Sequence, residues 1–120
     1  MQIRYYITDN GEKPVIQWLD GLRDRIARAN IAQRIARIEL NLFGTTRAVG
    51  DGVWELKIDV GPGYRLYYAQ SGKNVVLLLC GGDKRNQTQD IRTAKQYWES
   101  WKKDNGKEKN VDPKKRQKKR

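Results

Sequence analysis

Between Trp54 and Tyr68 apolar and polar residues alternate on both sides of a turn that holds two glycines and a proline. Trp54, Leu56 and Ile58 fall on one side of an extended chain and Glu55, Lys57 and Asp59 on the other. Past the turn, Tyr64, Leu66 and Tyr68 oppose Arg65 and Tyr67. A period of two marks a half-buried strand, because successive side chains on extended backbone point to opposite faces. Val60-Gly61-Pro62-Gly63 supplies freedom for positive φ and a preset bend, so the two segments read as an antiparallel hairpin. Matching faces then limits the register, since a one-residue slip exposes the whole apolar set. A three-residue Gly61-Pro62-Gly63 loop pairs Ile58 with Leu66, Leu56 with Tyr68, Asp59 with Arg65 and Lys57 with Tyr67. This register gathers Glu55, Lys57, Arg65 and Tyr67 on one polar surface.

The remainder of the chain reads as packing for that hairpin. Residues 1–7 alternate as a short strand before the turn signal Thr8-Asp9-Asn10-Gly11. Pro14 opens a helix whose Val15, Trp18, Leu19 and Leu22 share one face. A second helix begins near Arg23 or Asp24 and reaches about Leu42, with Ala27, Ile31, Ile35, Ile38 and Leu42 as its apolar stripe and Gly44 as its stop. Its opposite face carries Arg28, Arg34 and Arg37, a solvated face or an extension of a nucleic-acid surface. Residues 44–52 read as a polar connection. Residues 75–79 are apolar without alternation, as in a central strand covered on both faces, and Cys80 is a small buried filler. A last helix follows Gly81-Gly82, capped by Asn86 or Thr88, with Ile91, Ala94, Trp98 and Trp101 at helical spacing. The expected fold is α+β: a small, mostly antiparallel sheet in the order β-α-α-β-β-β-α, its helices segregated on one face. Residues 1–101 form the domain and residues 102–120 a basic, flexible tail.

Composition narrows the chemistry. The chain of 120 residues carries a net charge of +11, one cysteine and no histidine. That inventory leaves no plausible zinc or haem site, no internal disulfide and no expected cofactor, and it suits a reducing cytoplasm. The longest apolar stretch, residues 75–80, is far short of the roughly 20 residues that span a bilayer, so a soluble protein is expected. Neither glycine-containing loop has the GxxxxGK[ST] spacing of a triphosphate site. Residues 102–120 hold ten Lys or Arg against Asp104, Glu108 and Asp112, so the tail contributes +7 and the domain +4. A basic field of this kind favours polyanions, nucleic acid foremost, because neutralised phosphates release counterions.

Trp54-Glu55-Leu56-Lys57-Ile58, then Gly61-Pro62-Gly63-Tyr64-Arg65, then Cys80-Gly81-Gly82-Asp83-Lys84 with Gln87, Asp90, Ile91 and Ala94, resemble the addiction-module killer, or HigB-like, branch of the RelE/ParE toxin superfamily. The resemblance covers about residues 1–101 and includes the Trp18-Leu19 helix. It implies a RelE/ParE-like toxin domain that cleaves messenger RNA without a metal, commonly on translating ribosomes. The implied partners are a cognate antitoxin protein with a helix-turn-helix, mRNA and the ribosome, with no membrane. By position, the resemblance nominates Lys57, Arg65 and Lys84 as catalytic, with Glu55 and Tyr67 beside them; Arg85, which stands with Asn86 where small hydroxyl residues are usual in this branch, and Arg37 of the arginine face are added as substrate contacts on their charge. Several relatives move protons with a histidine, and this chain has none.

RNA cleavage of this type requires removal of the 2′-hydroxyl proton, stabilisation of an anionic phosphorane and protonation of the departing 5′-oxygen. Arg65 suits the phosphorane, because a planar guanidinium holds two phosphate oxygens at once. Lys57 or Glu55 is the candidate base, Lys84 the candidate acid, and Tyr67 a group to orient or stack a base. Two other readings use the same residues differently. A gyrase-inhibiting ParE-like toxin needs no catalytic cluster, and a noncatalytic RNA-binding protein loses affinity gradually as cations are removed. The plainest alternative is a solvated sheet face with an ordinary Asp59–Arg65 ion pair.

Overall fold

The computed structural model describes residues 1–110. β1 (Gln2–Tyr5) leads into α1 (Pro14–Gly21) and α2 (Arg25–Glu39). Four strands follow, β2 (Thr46–Gly50), β3 (Val53–Ile58), β4 (Tyr64–Ser71) and β5 (Val75–Asp83), and a 3₁₀ turn at Lys84–Asn86 enters α3 (Gln87–Asn110). The fold is α+β as expected, built on a five-stranded sheet in the order β1-β5-β4-β3-β2. β1 joins β5 in parallel and all other neighbours are antiparallel.

Local chemistry accounts for the helix ends. Asp24 caps α2, its Oδ1 accepting from the backbone N–H groups of Ile26 and Ala27 at 3.0 Å each. Ala27, Ile31, Ile35 and Ile38 form the buried stripe. The stop is Asn41, in the left-handed region at φ 66, three residues before the expected Gly44. Leu42 consequently leaves the stripe and is exposed.

Residues 46–50, expected to be connection, instead form β2 against β3. Asp51 and Gly52 join the two strands with φ of 55 and 85, the paired positive values that a two-residue type I′ hairpin turn requires. The β3–β4 hairpin also departs from the expected register. Ile58 pairs with Tyr64, Lys57 with Arg65 and Glu55 with Tyr67. The loop therefore holds five residues, 59–63, rather than three. The displacement is two residues, so every side chain keeps its face, and face matching alone does not separate the two registers. Asp59 does not pair with Arg65; it lies 3.5 Å from Lys57.

The helices are not gathered on one face. α1 and α2 pack with Leu56, Ile58, Leu66, Tyr68, Val76 and Leu78. α3 covers the other face, where Ala94 and Trp98 meet Val53, Tyr67, Ala69, Leu77 and Leu79. β5 is therefore covered on both sides, as its unbroken apolar run requires. Its glycine pair serves both layers at once: a Cβ on Gly81 would strike the Trp18 ring of α1, and one on Gly82 would strike the Asp90 carboxylate of α3. α3 continues past Trp101 into the segment expected to be tail, and residues 111–120 of that segment lie outside the described residues. No helix among the described residues is long and apolar enough to cross a membrane.

Candidate active site

Two adjoining clefts open on the α3 side of the sheet, beside that helix's first turn. The first, about 440 Å³, is walled by loop 59–63 together with Lys57, Arg65 and Lys84. The second, about 300 Å³, lies between Thr45, Thr46, Arg47 and Gln87. Glu55 lines the second, and Lys57 and Arg65 stand between the two and line both.

Beneath them Glu55 is 3 % exposed. A bare carboxylate at that depth is costly, and this one is surrounded by donors. Its Oε1 accepts from Arg47 Nε at 2.8 Å. Its Oε2 accepts from Gln87 Nε2 at 2.7 Å and from the Tyr67 hydroxyl at 3.1 Å, with Arg65 Nε at 3.5 Å. Burial by itself pushes the Glu55 carboxyl up, but the hydrogen bonds from Arg47, Gln87 and Tyr67 outweigh it and hold the group below the ordinary carboxylate range. The Tyr67 hydroxyl moves the other way, raised by burial and then by the charge on Glu55.

Arg65 is equally fixed. It is 8 % exposed, and its Nη1 donates to the Gly63 carbonyl at 2.6 Å. Lys57 lies directly across the strands from it, and two cations so placed repel. Glu55 and Asp59, one against each, offset that repulsion. Lys84 is exposed at the cleft rim and has no ion-pair partner among the described residues.

The structure thus brings Lys57, Arg65, Lys84, Glu55 and Tyr67 together. Two of them take different places from those expected. Tyr67 is fully buried, so no base stacks on it, and Glu55 is an enclosed anchor rather than a solvent-facing base. Arg85 folds back onto Asp83, with Nη2 to Oδ2 at 2.8 Å, and lines neither cleft. Arg37 is exposed on α2, across the sheet from both clefts. Its neighbour Arg34 is structural, donating to the carbonyls of Lys57 at 2.9 Å and Phe43 at 3.2 Å.

Arg47 was not foreseen, and Gln87 was noted only among the residues that carry the resemblance, without a place in the site. Arg47 belongs to the unrecognised edge strand, and Gln87 stands one helical turn before Ile91 on α3. The signal available for the strand was Asp51-Gly52, a strong two-residue hairpin dipeptide; by itself it sets Ala48 against Glu55, and a one-residue bulge between Ala48 and Gly50 brings Arg47 there instead.

Residues 17–99 match the family described as phage-derived protein Gp49-like (DUF891). The chain is also similar to an uncharacterized protein of Haemophilus influenzae, 46% identical over 78 residues that span 65% of this chain and 79% of the relative. Both clefts lie within the matched region.

Proposed function

Because the chain belongs to the phage-derived Gp49-like family, a toxin-like family related to addiction modules, we propose that it is the toxin of a toxin–antitoxin pair and an endoribonuclease of the HigB-like, RelE/ParE type. The observation that carries this reading is the convergence of Lys57, Arg65 and Lys84 on one cleft, with the buried guanidinium of Arg65 hydrogen-bonded to the Gly63 carbonyl and charge-paired with Glu55. Cations held in place before substrate arrives are what an anionic transition state needs, since no reorganisation is then required during the reaction.

In this reading the 2′-oxygen of the RNA attacks the adjacent phosphorus as its proton passes to solvent water. The P–O5′ bond breaks and the departing oxygen gains a proton. The products are a 2′,3′-cyclic phosphate and a 5′-hydroxyl end. Arg65 carries the charge of the phosphorane, Lys57 faces the attacking hydroxyl and Lys84 protonates the leaving oxygen. Glu55 acts through Arg65 and is a positioning residue. A protein antitoxin masks or distorts the basic face, and mRNA on the ribosome is the substrate.

The test is mapping of RNA 5′ ends in a purified translation reaction. New 5′-hydroxyl ends are expected with the unaltered protein. Arg65→Ala is expected to lower their rate by roughly 10²–10³, and Lys84→Ala by roughly 10²–10⁴. Cutting undiminished in both folded variants would overturn the assigned residues, and no new ends would overturn the nuclease. Inhibition of gyrase that survives loss of all three cations would put the gyrase-inhibiting toxin in its place.

A further inference from the structure

The second cleft is not required by the cleavage chemistry, and its polar groups point to a different task. Glu55 binds Arg47 with one carboxylate oxygen and Gln87 with the other. A carboxylate held below its usual range only accepts, so the Gln87 amide must turn its NH₂ toward Glu55. Its Oε1 is thereby left as an acceptor, and no described residue pairs with it. Arg47 uses only Nε on Glu55, which leaves the two Nη groups at its end as donors. One buried anion therefore fixes, side by side, a donor fork and a single acceptor in a cleft of about 300 Å³. That size is at the lower end of sites for small ligands, roughly 300–1,000 Å³.

We propose that this cleft is a nucleobase-reading pocket selective for guanine, with Arg47 and Gln87 as its specificity-determining residues. Guanine offers two adjacent acceptors, N7 and O6, which match a guanidinium fork, and next to them a ring N–H and an amino group that an amide oxygen can accept. Adenine places an amino donor where the fork needs O6. Cytosine repeats this order only at O2 and N3 beside its N4 amino group, where O2 adjoins the glycosidic bond and the ribose crowds the fork, and uracil has no two adjacent acceptors. Single-stranded RNA presents such edges freely, because its bases are unstacked and can be splayed into pockets. Lys57 and Arg65 separate this cleft from the first, so a guanine bound here sits beside the phosphate that they hold. The proposal rests on the ribonuclease reading for its location relative to the cut, and the binding measurement below does not.

The experiment uses uncleavable 2′-O-methyl oligouridylates carrying one central guanosine, adenosine, cytidine or uridine. Their affinities for the full-length protein are measured alongside mapped cleavage of the unmodified RNAs. Guanosine is expected to bind about tenfold or more tightly than the others, with cuts concentrated beside it. Gln87→Met and Arg47→Lys are each expected to remove most of that ratio. Arg47→Lys keeps the charge and is expected to leave the salt dependence of binding in place, which separates base reading from simple attraction to phosphate. Equal affinity for the four bases, or a guanosine preference that survives both substitutions, would overturn the proposal. Selective guanosine binding without any cleavage would uphold the pocket while sinking the nuclease.

Discussion

Glu55 accepts three hydrogen bonds on two oxygens and pairs by charge with Arg65, whose Nε makes no hydrogen bond. Glu55→Gln leaves Arg65 buried without its counter-charge, a change expected to cost about 3–5 kcal/mol in urea unfolding at pH 7. Tyr67→Phe removes one hydrogen bond to a charged acceptor and is expected to cost about 1.5–3 kcal/mol. The pH dependence has a definite sign. The Glu55 carboxyl titrates lower in the fold than in the unfolded chain, where 4.5 is its ordinary value. Its stabilisation is complete above that value and is lost as pH falls through the folded one, so the deficit of Glu55→Gln shrinks in acid. Asp90 is the reverse case: burial, then the charge of Asp83, raises its carboxyl from an ordinary 3.8. Stability from that group is full below 3.8 and declines as pH rises through the folded value. Asp90→Asn is therefore expected to raise the urea midpoint at pH 7 and to make little difference at pH 3; a lower midpoint at pH 7 would contradict this account.

Between residues and molecule, β5 decides where the site can stand. Gly81 admits Trp18 on one face and Gly82 admits Asp90 on the other, so α1 and α3 both approach the strand closely. Either glycine changed to alanine is expected to cost about 1–3 kcal/mol by overpacking, but the two should differ in activity. Gly82→Ala displaces the first turn of α3, which carries Gln87, and on the ribonuclease reading should damage cleavage beyond its effect on stability. Gly81→Ala pushes on α1, across the sheet from the clefts, and should spare the rate per folded molecule. Measuring unfolding and cleavage on both variants checks the contrast. The strands buried on one or two faces were legible because burial writes a pattern into the sequence: alternation in β3 and β4, an unbroken apolar run in β5. β2 shows none, since as an edge strand it is mostly exposed, with only Thr46 and Val49 half-buried. The hairpin register was hidden for another reason, that two registers two residues apart present identical faces. The cations Lys57, Arg65 and Lys84 could be found from pattern and resemblance. The anchoring role of Glu55 could not, because a glutamate in an alternating strand looks like any solvated one until α3 and β2 close over it.

At the scale of the whole molecule, and on the ribonuclease reading proposed above, the charge of +11 sets how the protein meets RNA. Binding is expected to weaken steeply with salt, and Lys57→Ala or Lys84→Ala should each lower the slope of log K against log salt by about 0.7, the value for one phosphate contact on a single strand. A slope unchanged in both would remove these lysines from the contact surface. The sheet order adds a constraint in time. β1 is the first strand synthesised, yet its neighbour is β5, with Gln2 aligned to Val75. At roughly 5–20 residues per second, the ribosome takes about 4–15 s to supply that neighbour, and Gln87 comes later still. Until then Glu55 lacks one of its donors and the second cleft lacks a wall. The clefts are thus completed only late in synthesis, and on the toxin–antitoxin reading the emerging chain passes through an interval in which a newly made antitoxin can meet it before it is able to act.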